Sequence, residues 1–92
     1  MKLLMGASSL FLVGLFVSGC AVYTPKDIKS VEQMISEAAS AGAEKKAAYE
    51  YYSAIEHLNV AKDELSEADD KNAKVFGEKA QAMAEKALQK SK

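Results

Sequence analysis

Residues 49–88 read YEYYSAIEHLNVAKDELSEADDKNAKVFGEKAQAMAEKAL, and the spacing of their apolar positions decides the fold. Extended back to Glu44, the first half runs through Ala47, Tyr51, Ala54, Ile55, Leu58, Ala61 and Leu65. At about 100° per residue these fall on one wide face, which is the pattern of an amphipathic helix over about 44–68. Asp69-Asp70 then interrupts the run: both side chains are too acidic for a core, and aspartate can cap a new helix. Beyond it Ala73, Phe76, Ala80, Met83, Ala84 and Ala87 line one face of a further helix, about 70–89. Gly77 lies beside that face and permits close backbone approach. Two helices with so short a connection run antiparallel, as a helical hairpin.

Upstream of the hairpin, Ser40-Ala41-Gly42-Ala43 breaks the periodicity with a glycine suited to a helix C-terminus. Thr24-Pro25-Lys26-Asp27 has the order of a helix start, with Thr as N-cap, Pro in the first helical position and an acid at the third. Ile28, Val31, Met34 or Ile35, and Ala38 recur between these signals, so a first helix covers about 25–40. No run alternates apolar and polar residues, and Thr occurs once, so strands have no support. The expected fold is all-α: an Ala-rich antiparallel hairpin preceded by a shorter helix, a small three-helix arrangement forming one domain over 25–92.

The chain opens differently. Lys2 precedes Leu3 to Val17, fifteen residues without a charge, a length that suits a secretory h-region of about 7–15 residues better than a membrane span of about 20. Phe16-Val17-Ser18-Gly19-Cys20 closes that run. It resembles the lipobox of bacterial lipoprotein signal peptides, in which an aliphatic and two small residues precede a cysteine. The resemblance implies a diacylglyceryl group on the Cys20 sulfur, cleavage between Gly19 and Cys20, and acylation of the freed amine. Residues 1–19 are then a cleaved signal peptide and 20–24 a lipidated tether. Two or more acyl chains hold a protein durably on a membrane. The competing accounts are an uncleaved anchor helix and a structural cysteine. As the one cysteine of the chain, Cys20 has no intramolecular disulfide partner. Ala21 carries a further implication, because in enteric-type lipoproteins an aspartate after the cysteine retains the protein in the inner membrane. Its absence favours the outer membrane, on the periplasmic face of the cell envelope.

Cys20 to Lys92 comprises 73 residues with eleven Lys, no Arg and thirteen Asp or Glu, a net charge of about −2. Such a chain has no basic surface to release counterions from nucleic acid and no guanidinium to read bases, so nucleic-acid binding is not expected. A domain of this size, with mostly Ala at its apolar positions and no disulfide, stands close to the limit of independent stability. Self-association or docking on another envelope protein is therefore expected.

The run Tyr49 to Leu88 also resembles a group of small bacterial lipoproteins whose helical domain of unknown function looks like one tetratricopeptide-type hairpin. The features that carry the likeness are Tyr51-Tyr52, the step from Ala54 through Leu58 to Ala61-Lys62, the acidic turn Asp69-Asp70, and Ala84-Glu85-Lys86-Ala87. Asn72 departs from the group, which often places an aromatic after the turn. One hairpin is not a solenoid, which needs three or more repeats.

Little in the chain carries chemistry. His57 is the one histidine and has no cysteine, serine or second histidine spaced to make a zinc site or nucleophilic pair with it. The acids fall on polar faces or at the turn, and no phosphate loop, HExxH or calcium loop occurs. The expectation is a non-enzymatic protein without catalytic residues, metal, cofactor other than the lipid on Cys20, or small-molecule substrate. Tyr49, Tyr52 and Val60 point away from the face of Tyr51, Ile55, Leu58 and Leu65, so the second helix has two apolar sides. The simpler account is that the first helix packs on the second side; the other is an exposed partner surface. Lys92 offers an alternative role. Murein lipoproteins carry a terminal lysine joined to peptidoglycan, and their Ala-rich helices are similar in kind, although Gly42 and Asp69-Asp70 interrupt the sustained heptads those proteins have.

Overall fold

The computed structural model describes residues 22–92. Gly19 and Cys20, which carry the cleavage and lipidation reading, lie outside the described residues. Within them the chain is all-α: α1 (Pro25–Ser40), α2 (Ala43–Lys46), α3 (Ala48–Ser66) and α4 (Asp70–Ser91). None of these helices is long and apolar enough to cross a membrane.

Helix α1 begins where the sequence places it. The Thr24 backbone N–H and hydroxyl both donate to the Asp27 carboxylate, at 2.8 and 3.0 Å, and Pro25 occupies the first helical position, where no donor is needed. It ends on Gly42, whose φ of 89° lies in the left-handed region and whose N–H donates to the Ala39 carbonyl at 3.0 Å.

The helix expected over 44–68 is interrupted. Ala47 takes φ −145° and ψ 53°, which separates the single turn of α2 from α3. Its N–H closes α2 on the Ala43 carbonyl at 2.8 Å, and its carbonyl opens α3 by accepting from the Tyr51 N–H at 2.9 Å. The break therefore leaves its own backbone groups bonded. Its methyl group is buried with Ala38, Ala43 and Ala87, so tertiary packing overrides the high helix propensity of alanine.

Between α3 and α4 the chain turns through a Schellman motif. Asp69 N–H donates to the Glu64 carbonyl at 2.8 Å and Ala68 N–H to the Leu65 carbonyl at 3.0 Å, with Ala68 at φ 61° in the position usually held by glycine. Asp69 then caps α4, its carboxylate accepting from the Asn72 N–H at 3.1 Å.

The helices α3 and α4 form the antiparallel hairpin, and α1 lies against both. Ala54, Ala61, Ala73, Ala80, Ala84 and Ala87 are fully buried; methyl side chains at these positions let the helix backbones approach closely. One buried cluster joins Tyr23, Ile28, Val31, Leu58, Ala61, Ala73 and Ala80, with Ile35, Leu65 and Phe76 packed against it. A second, of Ala38, Ala43, Ala47 and Ala87, sits at the other end of the bundle with Tyr51 and Leu88. The start of α1, the end of α3 and the start of α4 thus share one end, and the α1–α2 turn, the start of α3 and the end of α4 share the other.

Tyr23, which the sequence reading assigns to a tether, belongs to the core. It is 8% exposed, and its ring lies against the backbone of Gly77, where an added Cβ would overlap the ring and hydroxyl. The glycine beside the apolar face of α4 is the place where the incoming strap docks. Of the described residues before Tyr23, Val22 is exposed.

Candidate functional site: the outward face of α3

Tyr49 and Tyr52 are 73% and 47% exposed. The expectation that the first helix covers them is overturned. Helix α1 meets α3 on a different flank, where Ile35 and Glu32 lie beside Ile55, Leu58, Asn59 and Lys62 and where Glu32 pairs with Lys62 at 2.7 Å. The cause is the direction of the larger side chains. Ile28, Val31 and Ile35 of α1 gather with Leu58 and Leu65, and a helix that satisfies those contacts does not reach over Tyr49 and Tyr52.

The structure does bring Tyr49, Tyr52 and Val60 onto one strip. A shallow hollow is lined by Ala48, Tyr49, Tyr52, Ser53 and Glu56, and a smaller one by Glu56, His57, Val60 and Phe76. Glu56 belongs to both and joins them. Val60 is half-buried against the hairpin, while Glu56, Asp63 and Glu67 continue the exposed line toward the end of α3.

Tyr52 is held in place. Tyr52 packs edge-to-face on Tyr51, with ring centroids 5.0 Å apart and planes at 76°. Its hydroxyl donates to Glu44 of α2 at 2.8 Å, which is chiefly what raises its pKa above 10.0. His57 Nδ1 lies 2.8 Å from the Ser53 carbonyl. A carbonyl only accepts, so Nδ1 carries the proton in that bond. The imidazole stacks on Phe76, centroids 6.1 Å apart, and Lys79 Nζ stands 5.4 Å from the same ring. The Ser53 hydroxyl also lies 3.3 Å from Nδ1, a contact one helical turn back that the sequence reading passed over, and the imidazole packs between α3 and α4.

Elsewhere several ionisable groups make contacts within the fold. Glu50 pairs with Lys90 across the hairpin, and that hydrogen bond lowers its pKa. At the α3–α4 turn Asp69 is lowered, mainly by the Asn72 N–H, whereas Glu64 is raised by burial and by sharing a hydrogen bond with Asp69. Among the described residues no group of three or more His, Cys, Asp or Glu is arranged to hold a metal. Ser91 is buried, its hydroxyl donating to the Ala87 carbonyl at 2.7 Å, and Lys46 Nζ reaches its carbonyl at 3.3 Å. Lys92 follows as an exposed residue at that end of the bundle.

Helical periodicity found the three strip residues but missed Glu56 and Phe76. The signal for Glu56 lay in its spacing of four from Tyr52 and of seven from Tyr49; Phe76 joins through tertiary contact, which no local pattern shows.

Fold and surface together define a small all-α domain with an open aromatic and acidic face on one helix. Residues 26–92 match the model of a family described as a domain of unknown function, DUF4398, and the chain belongs to that family. The match takes in α1 as well as the hairpin that carried the resemblance. No curated protein and no solved structure matches the chain.

Proposed function

We propose that this chain is a lipid-anchored envelope protein with a structural or adaptor role, held through Cys20 and binding another envelope protein through the face of Tyr49 and Tyr52. The observation that carries the reading is the exposure of two adjacent tyrosines on a face that no other element among the described residues covers. Exposed aromatic side chains of this kind recur at the centres of protein interfaces. The strip of export and lipobox residues before Ala21 supports the anchor, and the residue at position 21 supports the outer membrane.

The two ends of the bundle suit that role. Tyr23 fastens the chain to the fold three residues after Cys20, at the end where α1 begins. Tyr49 and Tyr52 stand near the opposite end, a separation of about 24 Å along the 16 residues of α1 at roughly 1.5 Å each. An anchored domain then presents its tyrosines away from the lipid surface.

A photo-crosslinking amino acid in place of Tyr52, introduced in cells, tests the reading. A specific crosslinked protein is expected, and Cys20→Ala is expected to abolish it by releasing the chain from its membrane. Absence of any specific product removes the adaptor role. The alternative, a peptidoglycan tether, draws on the exposure of Lys92 at the end remote from Tyr23. Muropeptide analysis with and without Lys92→Ala separates the two: a lysine-linked chain on peptidoglycan supports the tether.

A further inference from the structure

We propose that the outward face of α3 binds a basic helical segment of a partner protein, one that carries lysine or arginine with an apolar residue about a turn away. The inference rests on the adaptor reading and specifies the chemistry of its partner.

Tyr49, Tyr52, Glu56, Val60, Asp63 and Glu67 follow one another at steps of three or four, which makes a single line along α3 and into the turn. The line carries three carboxylates and no base. The lysine nearest in sequence, Lys62, lies on the flank toward α1 and is paired with Glu32; Lys79 stands at the rim, over Phe76. Like charges four apart, such as Asp63 and Glu67, oppose helix formation.

The same arrangement suits a cation well. A lysine or arginine stem lying over Tyr52 and Ser53 carries its head to Glu56, where ring face and carboxylate both attract it. The hollow of Val60, His57 and Phe76 then accepts an apolar side chain one turn further. A straight stripe with helical spacing matches the anchors of a partner helix laid alongside. Acidic peptides, nucleic acid and anionic lipid are repelled by it.

The test uses the full chain in nonionic detergent micelles and two fluorescent synthetic peptides of 18 or so residues. One is an amphipathic helix of leucines and lysines; the other has glutamate for every lysine. Anisotropy is expected to show the lysine peptide binding roughly tenfold or more tightly than the glutamate peptide, with affinity falling as salt rises. Glu56→Lys is expected to weaken the lysine peptide by roughly tenfold and to strengthen the glutamate peptide. Glu37→Lys, at an exposed acid of α1, is expected to leave both nearly unchanged. Binding of neither peptide, equal binding of both, or an equal effect of Glu37→Lys and Glu56→Lys overturns the proposal. The in-cell crosslink keeps the two readings apart: capture from Tyr52 of a second copy, or of a partner segment without Lys or Arg, overturns the basic-helix inference and leaves the adaptor role standing.

Discussion

At the scale of single residues, Tyr23 and Gly77 are the contact on which the N-terminal end of the fold depends. A buried aromatic ring that is truncated to alanine costs about 3 kcal/mol or more, so Tyr23→Ala is expected to lower the denaturation midpoint markedly. Gly77→Ala is expected to destabilise by about 1–3 kcal/mol, because its methyl group displaces the ring. In a Tyr23→Ala background the same substitution changes sign: with the ring gone, alanine in mid-helix is favoured over glycine by roughly 1 kcal/mol. Denaturant titration of the four variants measures this reversal, and additive effects count against the contact. The Tyr23 hydroxyl adds a pH signature. It is buried without a hydrogen-bond partner among the described residues, and burial, then the carboxylates of Asp27 and Glu78, raise its pKa above 10.0. A raised pKa gives a contribution fully present below the unfolded value of 10.0 and lost as pH rises through the folded one. Tyr23→Phe is therefore expected to keep or increase stability at neutral pH and to flatten its alkaline decline. Gly77 was legible from sequence as a point of close approach. Its partner was not, because nothing local distinguishes an aromatic in a tether from one that folds back onto a helix 54 positions later.

At the scale of elements, the α3–α4 turn combines good capping with one strained residue. Ala68 sits at φ 61°, a conformation that costs a side-chain-bearing residue about 1 kcal/mol. Ala68→Gly is expected to raise stability by up to that amount, read by thermal or chemical denaturation; a loss of stability indicates that the motif is not closed as described. The neighbouring acids oppose one another. Asp69, with a lowered pKa, contributes stability above its unfolded value of 3.8 that is lost as pH falls. Glu64, with a raised pKa, contributes in its protonated form below 4.5 and loses that contribution as pH rises. Glu64→Gln retains a hydrogen-bonding group without the charge, so it is expected to stabilise the protein at neutral pH, with the advantage shrinking as pH falls through the raised folded pKa and gone below the unfolded value of 4.5. The sequence located this turn and named Asp69 as a cap, since both are local chemistry. It concealed the left-handed residue, which glycine or asparagine would have announced, and the break at Ala47. No propensity flags an interruption at the strongest helix former, and only the buried cluster of Ala38, Ala43 and Ala87 accounts for it.

At the scale of the whole molecule, the bundle has one end closed by Tyr23 on Gly77 and another near which Tyr49 and Tyr52 are exposed. The apolar periods of α1, α3 and α4 were sufficient to establish the all-α class, the hairpin and the core face. They were also sufficient to set Tyr49, Tyr52 and Val60 apart from that core. They could not decide whether α1 covers those residues, because the answer depends on how Ile28, Val31 and Ile35 settle against Leu58 and Leu65. With α1 on the other flank, the face remains open and acidic, and the proposed anchor would hold it toward neighbouring proteins. The most direct measurement of that claim is photo-crosslinking in cells from Tyr52, compared with the same crosslinker at Glu37 on α1. The account predicts a discrete product from Tyr52 alone, mapped to a lysine- or arginine-bearing segment, weakened by Glu56→Lys and absent in Cys20→Ala. Identical products from both positions, or none from Tyr52, would contradict it.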